Sequence, residues 1–245
     1  MAPTIRQYVN DGSGANANAT AATGSGTQAG DLVVACLVSD YGSEAQLPAS
    51  PSGTPAGTWN HEFTANVNGT NRCWAKWWWR ITTVGGVHNV NGKSANTEAG
   101  NAMHVWVVTA GTFDTTDPVS TFAWNGSGTG TSTQHTIASV NGPDANCLWL
   151  GVGVSDGNVS GNVNYTGAPS GSTWETPELD PTIYFTTRGA RITTGIPATP
   201  GGAIGAKTFT ASAARQWVAS SILIRPPAAA PPPAITGRYF HMLGT

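Results

Sequence analysis

The residues that could do chemistry in this 245-residue chain are few and dispersed. Glycoside hydrolysis needs two carboxylates facing each other across a sugar. The close acid pairs, Asp114/Asp117 and Glu175/Glu178, sit beside Asp117-Pro118 and Asp180-Pro181, which is ordinary turn chemistry. His61, His88, His104, His135 and His241 form neither an HxH nor an HxxxH pair, so no metal-ligand spacing appears. Cys36, Cys73 and Cys147 lie in apolar runs, are odd in number and contain no CxxC. They read as small buried hydrophobes rather than a disulfide frame or a zinc cluster. No Gly-X-Ser-X-Gly elbow, phosphate loop or dinucleotide fingerprint is present. The sequence therefore offers no catalytic residue, no metal set and no cofactor, and predicts a protein that is not an enzyme.

Tryptophan is the unusual component, with ten copies, four of them close together at Trp74, Trp77, Trp78 and Trp79. In a strand, Trp77 and Trp79 share one face while Trp74 and Trp78 share the other. A strand aromatic on both faces is a central strand with one face in the core. Two uses compete for these rings. One is packing in the core or at a subunit interface, which aromatics dominate. The other is a stacking platform for sugars, which would make Trp74, Trp77, Trp78 and Trp79 the contacts for a host cell-wall glycan.

The elements that hold these residues are strands. Asp31–Ser39, Thr58–Ala65, Arg72–Val84, Met103–Thr109, Val119–Trp124, Gln134–Ser139 and Asn146–Ser155 are short apolar or alternating runs. Thr182–Thr187, Gly189–Thr194, Ala206–Thr210 and Gln216–Arg225 continue the series, with Gly, Pro, Asn and Ser between them. Many short strands separated by turn signals predict an all-β sandwich, jelly-roll-like, of about 10–12 strands. Helix content near zero is expected.

A weak internal repeat runs through the chain. Leu32–Asp40 resembles Leu148–Asp156, and a Pro-X-Gly turn precedes both Trp59 and Trp174. Arg80-Ile81-Thr82-Thr83 matches Arg191-Ile192-Thr193-Thr194, and Trp106 matches Trp217. These matches predict a pseudo-symmetric double sheet rather than two separate domains.

Charged residues make up 10% of the chain, against roughly 25% in typical domains, and the formal net charge is -2. Hydroxyls and amides must therefore keep the surface wet. With no basic stripe, nucleic-acid binding has no electrostatic basis. No apolar run approaches the ~20 residues of a membrane helix. Met1–Arg6 lacks the apolar core of a signal peptide, so export is expected by assembly or lysis rather than by secretion.

Three segments follow: 1–29, an N-terminal strand and flexible arm of low complexity; 30–225, the β-sandwich; and 226–245, a Pro-rich linker with a docking peptide. Pro226–Pro233 cannot pair in a sheet and favours polyproline II. The peptide beyond it carries Ile235, Arg238, Tyr239, Phe240, Met242 and Leu243, an apolar set that seeks burial against a partner.

The order of elements over residues 30–225 resembles β-sandwich domains of siphophage minor tail and virion surface proteins, of the actinobacterial phage type. The resemblance rests on Gly30–Ala35, the Pro55–Trp59 turn, the aromatic strand ending at Trp79-Arg80, Met103–Thr109, the Asp114–Pro118 turn, the strand ending at Asp156 and the Gly171–Trp174 turn. It implies a non-enzymatic virion structural protein, either a minor tail component or a capsid-surface decoration, and transfers no catalytic residues. Its expected partners are other capsid or tail proteins and further copies of itself, and its expected place is the virion, assembled in the host cytoplasm. A carbohydrate-binding host-recognition module is the alternative, and a polysaccharide hydrolase the third reading.

Overall fold

A computed structural model describes residues 1–13, 17–40, 46–67, 73–95, 100–156, 163–175, 185–192 and 199–228. The chain is an all-β sandwich, with no α-helix among the described residues. In chain order the strands are β1 (Ile5–Ser13), β2 (Ala19–Ala22), β3 (Leu32–Ser39), β4 (Ser52–Thr54), β5 (Asn60–Asn66), β6 (Trp74–Ile81) and β7 (Asn89–Gly92). They continue with β8 (Asn101–Val108), β9 (Val119–Ile137), β10 (Leu148–Asp156), β11 (Tyr165–Gly167), β12 (Ser172–Trp174), β13 (Phe185–Ile192) and β14 (Lys207–Ile224).

The first main sheet has the order β1-β8-β3-β6-β5. The second runs β14-β10-β13-β12, with β9 pairing along β14. The long strands β9 and β14 each serve twice. Val119–Ser127 pairs with Trp217–Ile224 inside the second sheet, and Gln134–Ile137 pairs with Lys207–Thr210 beyond a register break. That outer part, joined by β11, covers the second sheet, much as the small sheet β2-β7-β4 covers the first.

Two matching halves therefore face each other in four layers. The central cluster joins Leu32, Val34, Cys36 and Val38 of β3 to Leu148, Leu150, Val152 and Val154 of β10. Outside the first sheet, Val33, Ala35, Leu37 and Trp78 pack under Ala19, Ala21 and Val90. Outside the second, Trp149, Ala190, Trp217 and Leu223 pack under Ile137, Tyr165 and Phe209. Burial on both faces explains why β3, β8 and β10 are buried at every position. Their sequences read as continuous apolar runs where a one-sided sheet would alternate.

The expected repeat is present, with corrections to its register. Leu32 pairs with Val108 and Leu148 with Ile224, so both strands keep one spacing between halves. On that ladder the counterpart of Trp106, which pairs with Val34, is Ile222, which pairs with Leu150. Trp217 pairs with Ser155 and faces the outer layer, so the Trp106–Trp217 match is not a structural one. Arg191, paired with Leu150, takes the place of Trp79 rather than of Arg80. A slip by an odd number of residues moves a side chain to the opposite face, and local similarity does not register this.

Two further expectations are corrected. Each half of the chain builds its own sheet, so the connectivity is that of a duplicated unit and not of a jelly roll, whose Greek keys weave both sheets. The segment before Gly30 is also no loose arm where it is described. Residues 19–22 form β2 against β7, and Thr23 and Thr27 are buried and hydrogen-bonded.

Candidate functional site

The duplication places equivalent positions at two opposite edges of the sandwich, and these edges differ. At one edge β5 lies over β9. Phe122 stacks on Phe63 with centroids 4.3 Å apart, Phe63 on Trp77 at 6.2 Å and Trp77 on Trp106 at 5.6 Å. All three pairs are within 16° of parallel. The column crosses the core, and its outer ring, Phe122, is 45% exposed. Trp124, two residues on along the same edge strand, is 36% exposed.

At the other edge β1 meets β12 and β13. There Tyr8 takes the place of Phe122, since Tyr8 pairs with Trp106 and Phe122 with Ile222. Glu175 takes the place of Phe63, because its N–H donates to the Gly189 carbonyl just as Phe63 pairs with Trp77. Gly189 takes the place of Trp77, and a Cβ there would lie 3.1 Å from both Trp106 and the Tyr8 hydroxyl. The glycine makes room for Trp106 and the phenol. Trp106 donates to Glu175 Oε1 at 2.9 Å, and Arg191 stands 3.6 Å from the same oxygen.

His104 links this edge to the second sheet. Tyr8 Oη lies 2.6 Å from Nδ1, and Nε2 lies 2.9 Å from Thr187 Oγ1. Thr187 spends its proton on the Gly153 carbonyl at 3.0 Å, so it accepts from His104. The tautomer follows: Nε2 carries the hydrogen, and Nδ1 accepts from Tyr8. Burial holds His104 down at about 3. Burial, reinforced by Glu175, pushes the Tyr8 phenol well above its ordinary value. Both groups are neutral across the physiological range and His104 has no exposed surface. The chain can orient and lock two sheets together, but general acid–base work needs a proton that substrate can reach.

The remaining candidates fall out separately. Trp77 and Trp78 are fully buried and Trp74 is 5% exposed, with only Trp79 half-buried. The Trp77 N–H donates to Ser220 and the Trp78 N–H to the Ala49 carbonyl. Trp74, Trp77 and Trp78 are sealed between layers with no face to offer a sugar and are corrected to core, while the half-buried Trp79 packs against the core from its margin and donates to Glu62 Oε2 at 3.3 Å. Asp114 caps its own turn through the N–H groups of Thr116 and Asp117, while Asp117 and Asp144 flank Arg225 at 2.8 and 3.5 Å. Glu175 is engaged as above, and Glu178 lies outside the described residues. The three cysteines are buried and none is in a disulfide. His135 stacks on Trp217 at 4.7 Å, and burial holds it at about 4. Among the described residues no group of three His, Cys, Asp or Glu could hold a metal, and no helix is long and apolar enough to cross a membrane. Ile235, Arg238, Tyr239, Phe240, Met242 and Leu243, with His241, lie outside the described residues.

Comparison with family models, curated proteins and solved structures finds no match to this chain. The resemblance to siphophage domains therefore rests on the order of segments alone. Sequence reading passed over Phe122 and Trp124 as functional residues. Their alternation with Ala123 announces a strand, but only the sheet order makes β9 an edge. Tyr8, Glu175 and Thr187 carried no joint signal, since their partners are distant in the chain.

Proposed function

We propose that this protein is a non-enzymatic structural module that works by docking. From the order of its segments, we place it on the surface of a phage-type particle, as a minor tail or capsid-decoration component. The observation that carries the docking role is the exposed pair Phe122 and Trp124 on an edge strand of a surface otherwise poor in charge. Unpaired backbone groups and large apolar side chains on one edge make a template for another chain. The Pro-rich segment after Arg225 supplies the reach, and the apolar peptide beyond it supplies a second attachment point. Partners under this reading are other virion proteins and further copies of the chain.

The test is incorporation into particles. The full chain is expected in purified particles at a fixed ratio to the other structural proteins. A chain ending at Arg225 is expected to fold with an unchanged circular dichroism spectrum and to be missing from the particles. Equal incorporation of both chains, or absence of the full chain, would defeat the proposal.

A further inference from the structure

Among the described residues, Arg80 is a buried cation whose surroundings call for a ligand. It projects from β6 toward the outer face of the first sheet and is 6% exposed. Its guanidinium lies over the Trp59 ring at 4.5 Å, donates from Nη1 to the Pro55 carbonyl at 3.1 Å and from Nη2 to His88 Nδ1 at 3.1 Å. His88 in turn donates from Nε2 to the Val84 carbonyl at 3.1 Å, so its ring is a neutral acceptor and brings no negative charge. Burial lowers the Arg80 and His88 values alike. The buried Arg80 Nε has no partner. The neighbouring buried carboxylate, Asp31, is held by Arg6 through Nε and Nη2 at 2.8 and 3.2 Å. Thus one buried pair is complete, and Arg80 stands without a carboxylate among the described residues. A buried cation without an anion is costly, and the fork of a guanidinium matches a carboxylate in shape.

Space for the missing anion is next to it. Arg80 lines two adjoining recesses of about 240 and 220 Å³ that share Ala56 and Gly57. Gly57 is what lets the loop come close, since a Cβ there would sit 2.7 Å from Nη1. The first recess is edged by Thr58, Thr83 and Val84, all exposed, the last by 46%. Hydroxyls and an apolar lip beside a cation suit the two sides of a sugar ring. Each recess is below the ~300 Å³ of drug-sized sites, so a single sugar unit is the right scale. One net positive charge matches a carboxylate better than a phosphate dianion.

We propose that the recess around Arg80 binds an acidic sugar, with the carboxylate of a uronic acid on the guanidinium and the ring against Thr58, Thr83 and Val84. The Trp59 ring holds the guanidinium plane in place. This site lies on the outer face of the first half and does not depend on the docking role of the β9 edge.

Saturation-transfer NMR and calorimetry on the full chain at low salt, with galacturonate, galactose, acetate and inorganic phosphate, test the site. Galacturonate is expected to bind at least about tenfold more tightly than galactose, which lacks the charge-assisted hydrogen bond, and more tightly than acetate or phosphate, which lack the ring. Arg80→Gln is expected to abolish binding and Arg80→Lys to restore part of it. Because Arg80 is buried, Gly57→Val provides a second block, made at an exposed loop position that keeps the charge but crowds the guanidinium, and is expected to reduce binding by a similar factor. Acetate or phosphate binding as tightly as galacturonate would overturn the sugar assignment. Binding of galactose at equal strength, or of galacturonate to a folded Arg80→Gln protein, would overturn the site itself.

Discussion

The two edges of the sandwich descend from one structural pattern and have been filled in opposite ways. Where β5 meets β9, Phe122, Phe63 and Trp77 occupy three equivalent positions with stacked rings. Where β1 meets β12 and β13, Tyr8, Glu175 and Gly189 occupy the same positions with a polar network. His104 likewise stands where the second half has Ser220, which receives the Trp77 N–H. The backbone is the same experiment performed twice, so the difference lies in side-chain chemistry alone. The aromatic column adds apolar burial and stacking and asks only for close packing. The polar edge adds little net stability by itself, because each buried group must first be desolvated. Its contribution is a unique geometry: Tyr8, His104, Thr187 and the Gly153 carbonyl form a chain with a single consistent set of donors.

The largest break in this comparison comes at Trp106, the ring common to both edges. Trp106→Ala removes the inner end of the column and the donor to Glu175, leaving that carboxylate with Arg191 alone. A loss of about 3–5 kcal/mol is expected in denaturant unfolding. A loss under 1 kcal/mol would show that the column is not a continuous core element.

His104 sharpens the contrast through pH. Its folded value of about 3 lies below the ordinary 6.5, so the unfolded chain binds the extra proton first. Stability is therefore full above about 6.5 and falls as pH drops toward 3. His135, held at about 4, acts in the same direction. His104→Asn is expected to cost about 1–3 kcal/mol at neutral pH through the lost hydrogen bonds, and to flatten the acid limb. An acid limb with unchanged slope would remove His104 from this role.

Glu175 works with the opposite sign. Burial raises its carboxyl above the ordinary 4.5, while Arg191 and the Trp106 N–H pull it back. The folded chain then holds the proton longer, so this group makes stability fall as pH rises from about 4.5 through the folded value. Glu175→Gln keeps an acceptor for Trp106 and is expected to erase that fall, with a change under about 1 kcal/mol at neutral pH. A variant whose stability still declines over this window would assign the decline elsewhere.

The smallest effect on stability is expected at the rim. Phe122→Ser ends the column one ring early and is expected to cost about 0.5–1.5 kcal/mol. It is also expected to lower self-association in sedimentation, which the equivalent Tyr8→Ser would leave unchanged.

Much of the architecture was legible in the sequence because strand formation is a local matter. Runs such as Leu32–Ser39, Trp74–Ile81 and Leu148–Asp156 announce central strands by length, branching and the absence of polar alternation. The similarity of Leu32–Asp40 to Leu148–Asp156 announces the duplication. Sequence similarity could not fix register, as the Trp106–Trp217 match shows, because the face of a residue depends on odd or even spacing. Nor could it tell buried from open tryptophans: Trp77, Trp78 and Trp124 all lie in strands, and only the covering layers separate them.

The sequence by itself determined that the chain folds as strands, that it does so twice, and that its surface is wetted by hydroxyls and amides rather than charge. The tertiary structure alone decided which edge is aromatic and which polar, and that the buried Arg80 forms no ion pair with a carboxylate among the described residues. The physical reason is range. Strand propensity and period-two patterning act between neighbours, whereas Tyr8 meets His104 across 96 residues and His104 meets Thr187 across 83, through pairings that only the packed sheets define.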